Sequence, residues 1–262
     1  MSGASGATVA SGAVAYTTGA RLDGAVAGIV WNVRHECDCT LNLIFGFRYL
    51  DIDESLAIYQ SSHFAAGGPT YFPPHPAAGL GAITDFQITD RFRTRNQFYG
   101  VQLGLDAERT FGPWFVGLAP KVALGTNRQT ADVDGSTTFA GTTGQTVTVP
   151  GGLYAVGIPG GPPGTEGILG KDVVNRFAVL AEVTGRFGVQ LTPSVRLSAG
   201  YTFLYLNTVA RPGLEIQPVI NPRVIPVSQA FGSTSGPVAP RRAYDISDYV
   251  AHGVLFGLEV RY

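Results

Sequence analysis

Bulky apolar residues alternate with small or polar ones along at least seven stretches of this chain, and that period of two constrains the fold more than any other feature. Recurrence at every second position marks a β-strand with two unlike faces. From Asp23 to Arg34, Ala25, Ala27, Ile29, Trp31 and Val33 oppose Gly24, Val26, Gly28, Val30, Asn32 and Arg34. From Leu41 to Leu50, Leu41, Leu43, Phe45, Phe47 and Tyr49 oppose Asn42, Gly46 and Arg48. Tyr99, Val101, Leu103 and Leu105 oppose Gly100, Gln102, Gly104 and Asp106, and Trp114, Val116, Leu118, Pro120, Val122 and Leu124 oppose Gly117, Ala119, Lys121, Ala123 and Gly125. Phe177, Val179, Ala181 and Val183 oppose Arg176, Glu182 and Thr184; Val195 to Tyr205 repeats the pattern against Arg196, Ser198, Gly200 and Thr202. The last stretch sets Val250, Val254, Phe256, Leu258, Val260 and Tyr262 against Gly253, Gly257, Glu259 and Arg261.

The faces are the reverse of what a soluble sheet needs. Only 14% of residues are charged and 35 are glycine, against typical shares of about 25% and about 7%. A glycine-rich, sparsely charged face suits the tight interior of a small barrel, which leaves the bulky face for lipid. The chain is therefore expected to be all-β, an antiparallel up-and-down transmembrane β-barrel of about 8 strands. Trp31, Tyr49, Tyr99, Trp114, Tyr205 and Tyr262 fall near the expected strand ends, as membrane-interface girdles do. Pro120 cannot donate to a ladder and predicts a bulge or a strand end. A net charge of -1 gives no field to gather phosphates, so nucleic acid is not an expected partner.

Connections follow the barrel pattern of short turns on one side and long loops on the other. Short links fall near 35–40, 109–113 and 188–194; long ones run over 60–84, 127–173 and 208–247, rich in Gly and Pro. Residues 131–149 extend a hairpin above the membrane. Residues 1–20 read as a low-complexity segment or a weak first strand (7–18), and 21–262 as a single barrel domain. Seven strands are an odd count, and the start MSGASGATVASGA has neither a basic region nor an apolar core for export. The odd count means either that 7–18 form an eighth strand or that the N-terminal part is missing, and the lack of an export signal favours the second.

Five ordered motifs carry a resemblance: GFRYLDIDESLAI (46–58), TRNQFYGVQLGLDAE (94–108), KVALGTNRQTADVDGST (121–137), GYTFLYLNTVARPG (200–213) and FGLEVRY (256–262). They resemble the planctomycete outer-membrane β-barrel family, the "beta-barrel protein seven" family, from about residue 20 to the end. The resemblance implies a longer parent with a signal peptide, about ten strands and a richer cysteine cluster at 35–40, where this chain keeps Cys37 and Cys39. It implies no particular role.

Arg34, Arg48, Asp106, Lys121, Glu182, Arg196, Glu259 and Arg261 make a mixed-sign set on the expected lumen face. They either pair across a filled bore or form a constriction that selects small solutes. Asp51, Asp53, Glu54, Asp132 and Asp134 read as solvated loop charge, without the spacing of a calcium loop. His35, His63, His75 and His252 lack metal-binding spacing and read as surface or interface residues, and no metal or cofactor is expected. Cys37 and Cys39 form a generic CxC. No GxSxG occurs, and Ser62 beside His63, or Ser247 and Asp248 before His252, make no triad by adjacency alone; an enzyme is not expected. Phe256, Leu258, Val260 and Tyr262 resemble the C-terminal signal read by barrel-assembly machinery. The expected function is an integral protein of the bacterial outer membrane, porin-like or structural. The alternatives are a closed-bore barrel acting in adhesion through its loops, and a soluble β-sandwich or lipocalin-like binder whose aromatic faces form the core.

Overall fold

The computed structural model describes residues 10–260 apart from 37, 66, 162–164, 218, 234–239, 241 and 243–244. Eight strands form one antiparallel sheet: β1 (Ala10–Glu36), β2 (Cys39–Phe64), β3 (Ile83–Phe111), β4 (Trp114–Gly141), β5 (Thr146–Pro150), β6 (Gly170–Thr192), β7 (Val195–Val209) and β8 (Ser247–Val260). The order is β1-β2-β3-β4-β6-β7-β8, and short β5 folds back on the end of β4 as the hairpin expected there. The seven long strands thus follow chain order as an up-and-down meander. No helix among the described residues is long and apolar enough to cross a membrane. β1 and β8 do not pair with each other among the described residues. Both run toward the end that holds the short turns, so the two could not pair antiparallel with each other directly.

Small residues let the sheet curl. Gly28 stands opposite Gly46 and Gly100 opposite Gly125 on the inner face. A Cβ on Gly125 would run into the Tyr99 carbonyl, and one on Gly46 into that of Ala27. The curl is measured by Arg48 of β2, whose guanidinium lies 2.8 Å from Glu182 of β6 although two strands separate them. In a flat sheet those backbones would stand roughly 14 Å apart.

The alternating faces fall as the sequence predicts over the turn-proximal half of β2, β3, β4, β6 and β7, while β1 and the turn-proximal half of β8 are exposed on both sides. Phe45 (57% exposed), Leu103 (56%) and Phe256 (84%) lie on the convex face, so the aromatic rows are not a core and the sandwich reading fails. Strand length is where expectation and structure part. The expected strands of about ten residues are the lower halves of strands of up to 29. Residues 10–18 are not a separate strand but the far end of β1. Asp51, Asp53, Asp132 and Asp134 are not loop residues; they lie on β2 and β4. Pro120 causes neither a bulge nor a strand end: β4 keeps its register with β6 (Pro120↔Val183), and only the β3 ladder lapses, between Gly104↔Lys121 and Ala107↔Leu118. The missing N–H is thus absorbed as a gap on one side. A bulge does occur between Asn32 and Arg34, and it carries Arg34 off the inner face to pair with Leu41 and with the Glu36 carboxylate at 2.6 Å.

Candidate functional site

The inner face is layered. In the lowest layer, Arg48 and Lys121 reach one carboxylate, Glu182, at 2.8 and 2.9 Å. Arg186 pairs with Asp106, and Arg196 meets Glu108 at 2.6 Å and Glu259 at 3.6 Å while lying 3.8 Å over the Phe115 ring. Every described member of the expected set except Arg34 therefore sits in this layer; Arg261 and Tyr262 lie outside the described residues. Glu108 and Arg186 were missed because each falls just beyond the stretch in which alternation was read. They sit on the polar parity of β3 and β6, so extending the period by two residues would have found them.

Above that layer the inner face turns apolar. Leu50 and Ile52 of β2, Phe98 of β3, Ala123 of β4, Ala178 and Leu180 of β6, and Leu204, Leu206 and Val209 of β7 form one buried cluster, with Tyr249 and Ala251 of β8 packed on it. Side chains from five strands meet here only because the sheet curls. The cluster packs apolar side chains into the concave side, where the sequence offered either a filled interior or a charged constriction.

The long loops continue the filling. At the end of β7 the chain bends inward, held by amides: Asn96 donates to the Ala210 carbonyl and accepts from its N–H, both at 2.9 Å, and Asn127 donates to the Thr208 carbonyl at 2.8 Å. Thr208 is the only described non-glycine residue with positive φ, at 52°. Higher up, Ala155 and Ile168 pack on Phe92 and Val133, and Tyr71, Ala77 and Leu80 on Ile83, Phe139 and Val149. Asp90 accepts from the N–H groups of Leu153, Tyr154 and Ala155 at 3.3, 2.9 and 2.6 Å, and burial pushes its carboxyl above the usual range against those bonds. The Glu215 carboxyl is likewise raised by burial, with Arg242 opposing. His75 is buried, not a surface residue: its ring stacks on Tyr71 and one nitrogen bonds the Pro226 carbonyl at 2.9 Å.

The outer face above the apolar band is ionic. Arg95 pairs with Asp51 at 2.6 Å, Arg93 with Asp53 at 2.5 Å and Arg91 with Asp134 at 3.3 Å, while Glu54 points inward to Arg211 at 2.8 Å. Of the aromatics, Trp31 and Trp114 mark the turn-side edge of the band and Tyr205 lies near the end of β7, whereas Tyr49 and Tyr99, with rings 5.1 Å apart, mark the upper edge in mid-wall, not at strand ends. His63 bonds Asp85 at 2.7 Å, His252 bonds Tyr201 at 2.8 Å and His35 faces Thr40 at 3.3 Å. Among the described residues no group of three or more His, Cys, Asp or Glu could hold a metal ion, and Cys39 is a free thiol; Cys37 lies outside them.

A single meandering sheet, apolar and aromatic on its convex side and charged, then packed, on its concave side, defines the wall of an up-and-down β-barrel. The chain belongs to the family described as "Putative beta barrel porin-7 (BBP7)", which residues 5–262 match. Nothing among curated proteins or solved structures matches it.

Proposed function

We propose that the protein is an integral barrel of the bacterial outer membrane whose bore is shut, and that it serves as a structural or adhesive element displaying its ionic upper wall and packed loops outside the cell. The observation that carries this reading is the apolar cluster of Leu50, Ile52, Phe98, Leu180, Leu204 and Leu206 on the inner face. Porin interiors are polar and water-filled, and a constriction lined by apolar side chains stops conduction by excluding water. The bilayer is the partner of the apolar band, and barrel-assembly machinery that of the C-terminal residues 256–262. On this reading the protein does no chemistry. Porin-like diffusion past the Arg48, Lys121 and Glu182 set is the second reading, favoured by the family's description. Planar-bilayer recording of the full chain separates the two. Silence across repeated insertions is expected, and stepwise conductance in the wild type would overturn the closed bore.

A further inference from the structure

One spot in the lowest inner layer holds more hydrogen-bond donors than acceptors. Strand register defines it. On β3, Gln102 lies between Gly100, which faces Arg48 of β2, and Gly104, which faces Lys121 of β4. The two cations share Glu182, one on each carboxylate oxygen, so the trio keeps a surplus positive charge. Gln102 is 1% exposed, and neither its amide nitrogen nor its amide oxygen has a partner; the Nε of Arg48 is buried and unpartnered too. The apolar cluster lies directly above, where a low dielectric strengthens any charge that remains uncompensated. Closer to the turns the balance reverses, because Arg186 and Arg196 meet three carboxylates, Asp106, Glu108 and Glu259.

A bound water could satisfy the Gln102 amide, but it would leave the surplus charge in place. An anion accepts from the Gln102 amide N–H and offsets the surplus charge, and the amide oxygen is left for water. We infer that this spot binds one small monovalent anion of halide or nitrate size, held by the Arg48 Nε–H, the Lys121 ammonium and the Gln102 amide N–H. The size limit follows from the neighbours, since the Phe98 ring lies over Gly100 and the Lys121 stem over Gly104. The inference goes beyond the closed-bore reading and uses only the apolar layer above the site.

The full chain in detergent tests it with bromide. Crystals soaked in bromide should show an anomalous peak within hydrogen-bonding distance of Arg48 Nε and Gln102 Nε2. In solution, exchange of gluconate for bromide at constant ionic strength should raise the thermal midpoint saturably. Gln102→Leu should raise the half-saturating bromide concentration about tenfold, the worth of one hydrogen bond to a charged group, and Lys121→Gln should abolish saturation. Absence of a peak at this spot overturns the inference, as does an unchanged half-saturation in Gln102→Leu. If a variant fails to fold, the wild-type anomalous map decides alone. Conductance of the wild type would sink the closed bore without touching this result.

Discussion

Phe98→Ala discriminates a packed inner face from a water-filled one. Phe98 is 0% exposed and lies in the cluster with Leu50, Ile52, Leu180 and Leu204. Withdrawing its ring from apolar surroundings costs about 2 kcal/mol. The space left, roughly 100 Å³ if nothing collapses, adds about 2.4 kcal/mol at ~24 cal/mol per Å³. The sum, about 4 kcal/mol, lies inside the usual range of about 3–5 for a buried Phe→Ala change. With a urea dependence of about 3 kcal/mol per molar, the unfolding midpoint should fall by about 1.3 M. The assay is urea titration of the detergent-solubilised protein, followed by tryptophan fluorescence and by the mobility difference between unheated and boiled samples. Phe47→Ala is the control: its ring is 48% exposed on the convex face, where detergent fills the vacated space, so the midpoint should move much less. A fall below about 0.3 M for Phe98→Ala would refute the reasoning, because a side chain facing water loses neither contacts nor a cavity term.

Burial holds the His75 imidazole below 6.5, so the unfolded chain binds the extra proton more readily; the stability this group contributes is complete above pH 6.5 and is lost as pH falls below it toward the folded value. The protection of the Ala77 and Leu80 amides, taken as the exchange rate relative to the free-peptide rate at each pH, should therefore fall between pH 7.5 and 5.5, and a His75→Phe variant should lose that pH dependence. Gly125→Ala drives a methyl group into the Tyr99 carbonyl and should cost about 1–3 kcal/mol, read as a lower urea midpoint, whereas Gly185→Ala, with nothing near its Cβ, should not. Deleting Tyr262 should lower the amount of protein reaching the outer membrane, and unchanged envelope levels would remove the assembly role assigned to 256–262.

The lower half of the wall was legible because each strand there has one medium on each side. Tyr99 to Leu105 alternates without a fault and Leu41 to Tyr49 with one, Ile44, so the faces and most of the charged layer followed from parity alone. The upper half was not legible as strand, because its outer residues are charged and its inner ones contact loops from far along the chain. DIDES at 51–55 looks like a loop until Arg93 and Arg95, about forty residues away, stand beside it. Arg34 was misplaced by a bulge, which shifts parity without leaving a mark in composition. The inward course of the loops is invisible for the same reason as the DIDES pairing: it depends on Asn96 meeting Ala210, a contact across 114 positions.

The two halves join at a height that can be traced from strand to strand. In β2 the apolar positions change parity between Tyr49 and Leu50, and in β3 between Tyr99 and Phe98. Register pairs Tyr49 with Tyr99 and Leu50 with Phe98, then Tyr99 with Thr126 and Thr126 with Phe177. Thr126 is the first polar residue above the outer apolar row of β4, and Phe177 the last apolar one before Asn175 in β6. The change therefore runs as one row through four strands that lie far apart in sequence. Internal packing alone would not place it so, since each strand packs against different loops. A boundary between two outside media would. Below the row, Leu41 to Tyr49 covers about 27 Å along the strand, or about 20 Å in height at a tilt of about 40°, close to the apolar band of roughly 25 Å in barrels that cross a bilayer. The ion pairs of Asp51 with Arg95 and Asp53 with Arg93 begin immediately above it. The parity change is thus where the proposed bilayer would end, and the packed interior begins at the same level.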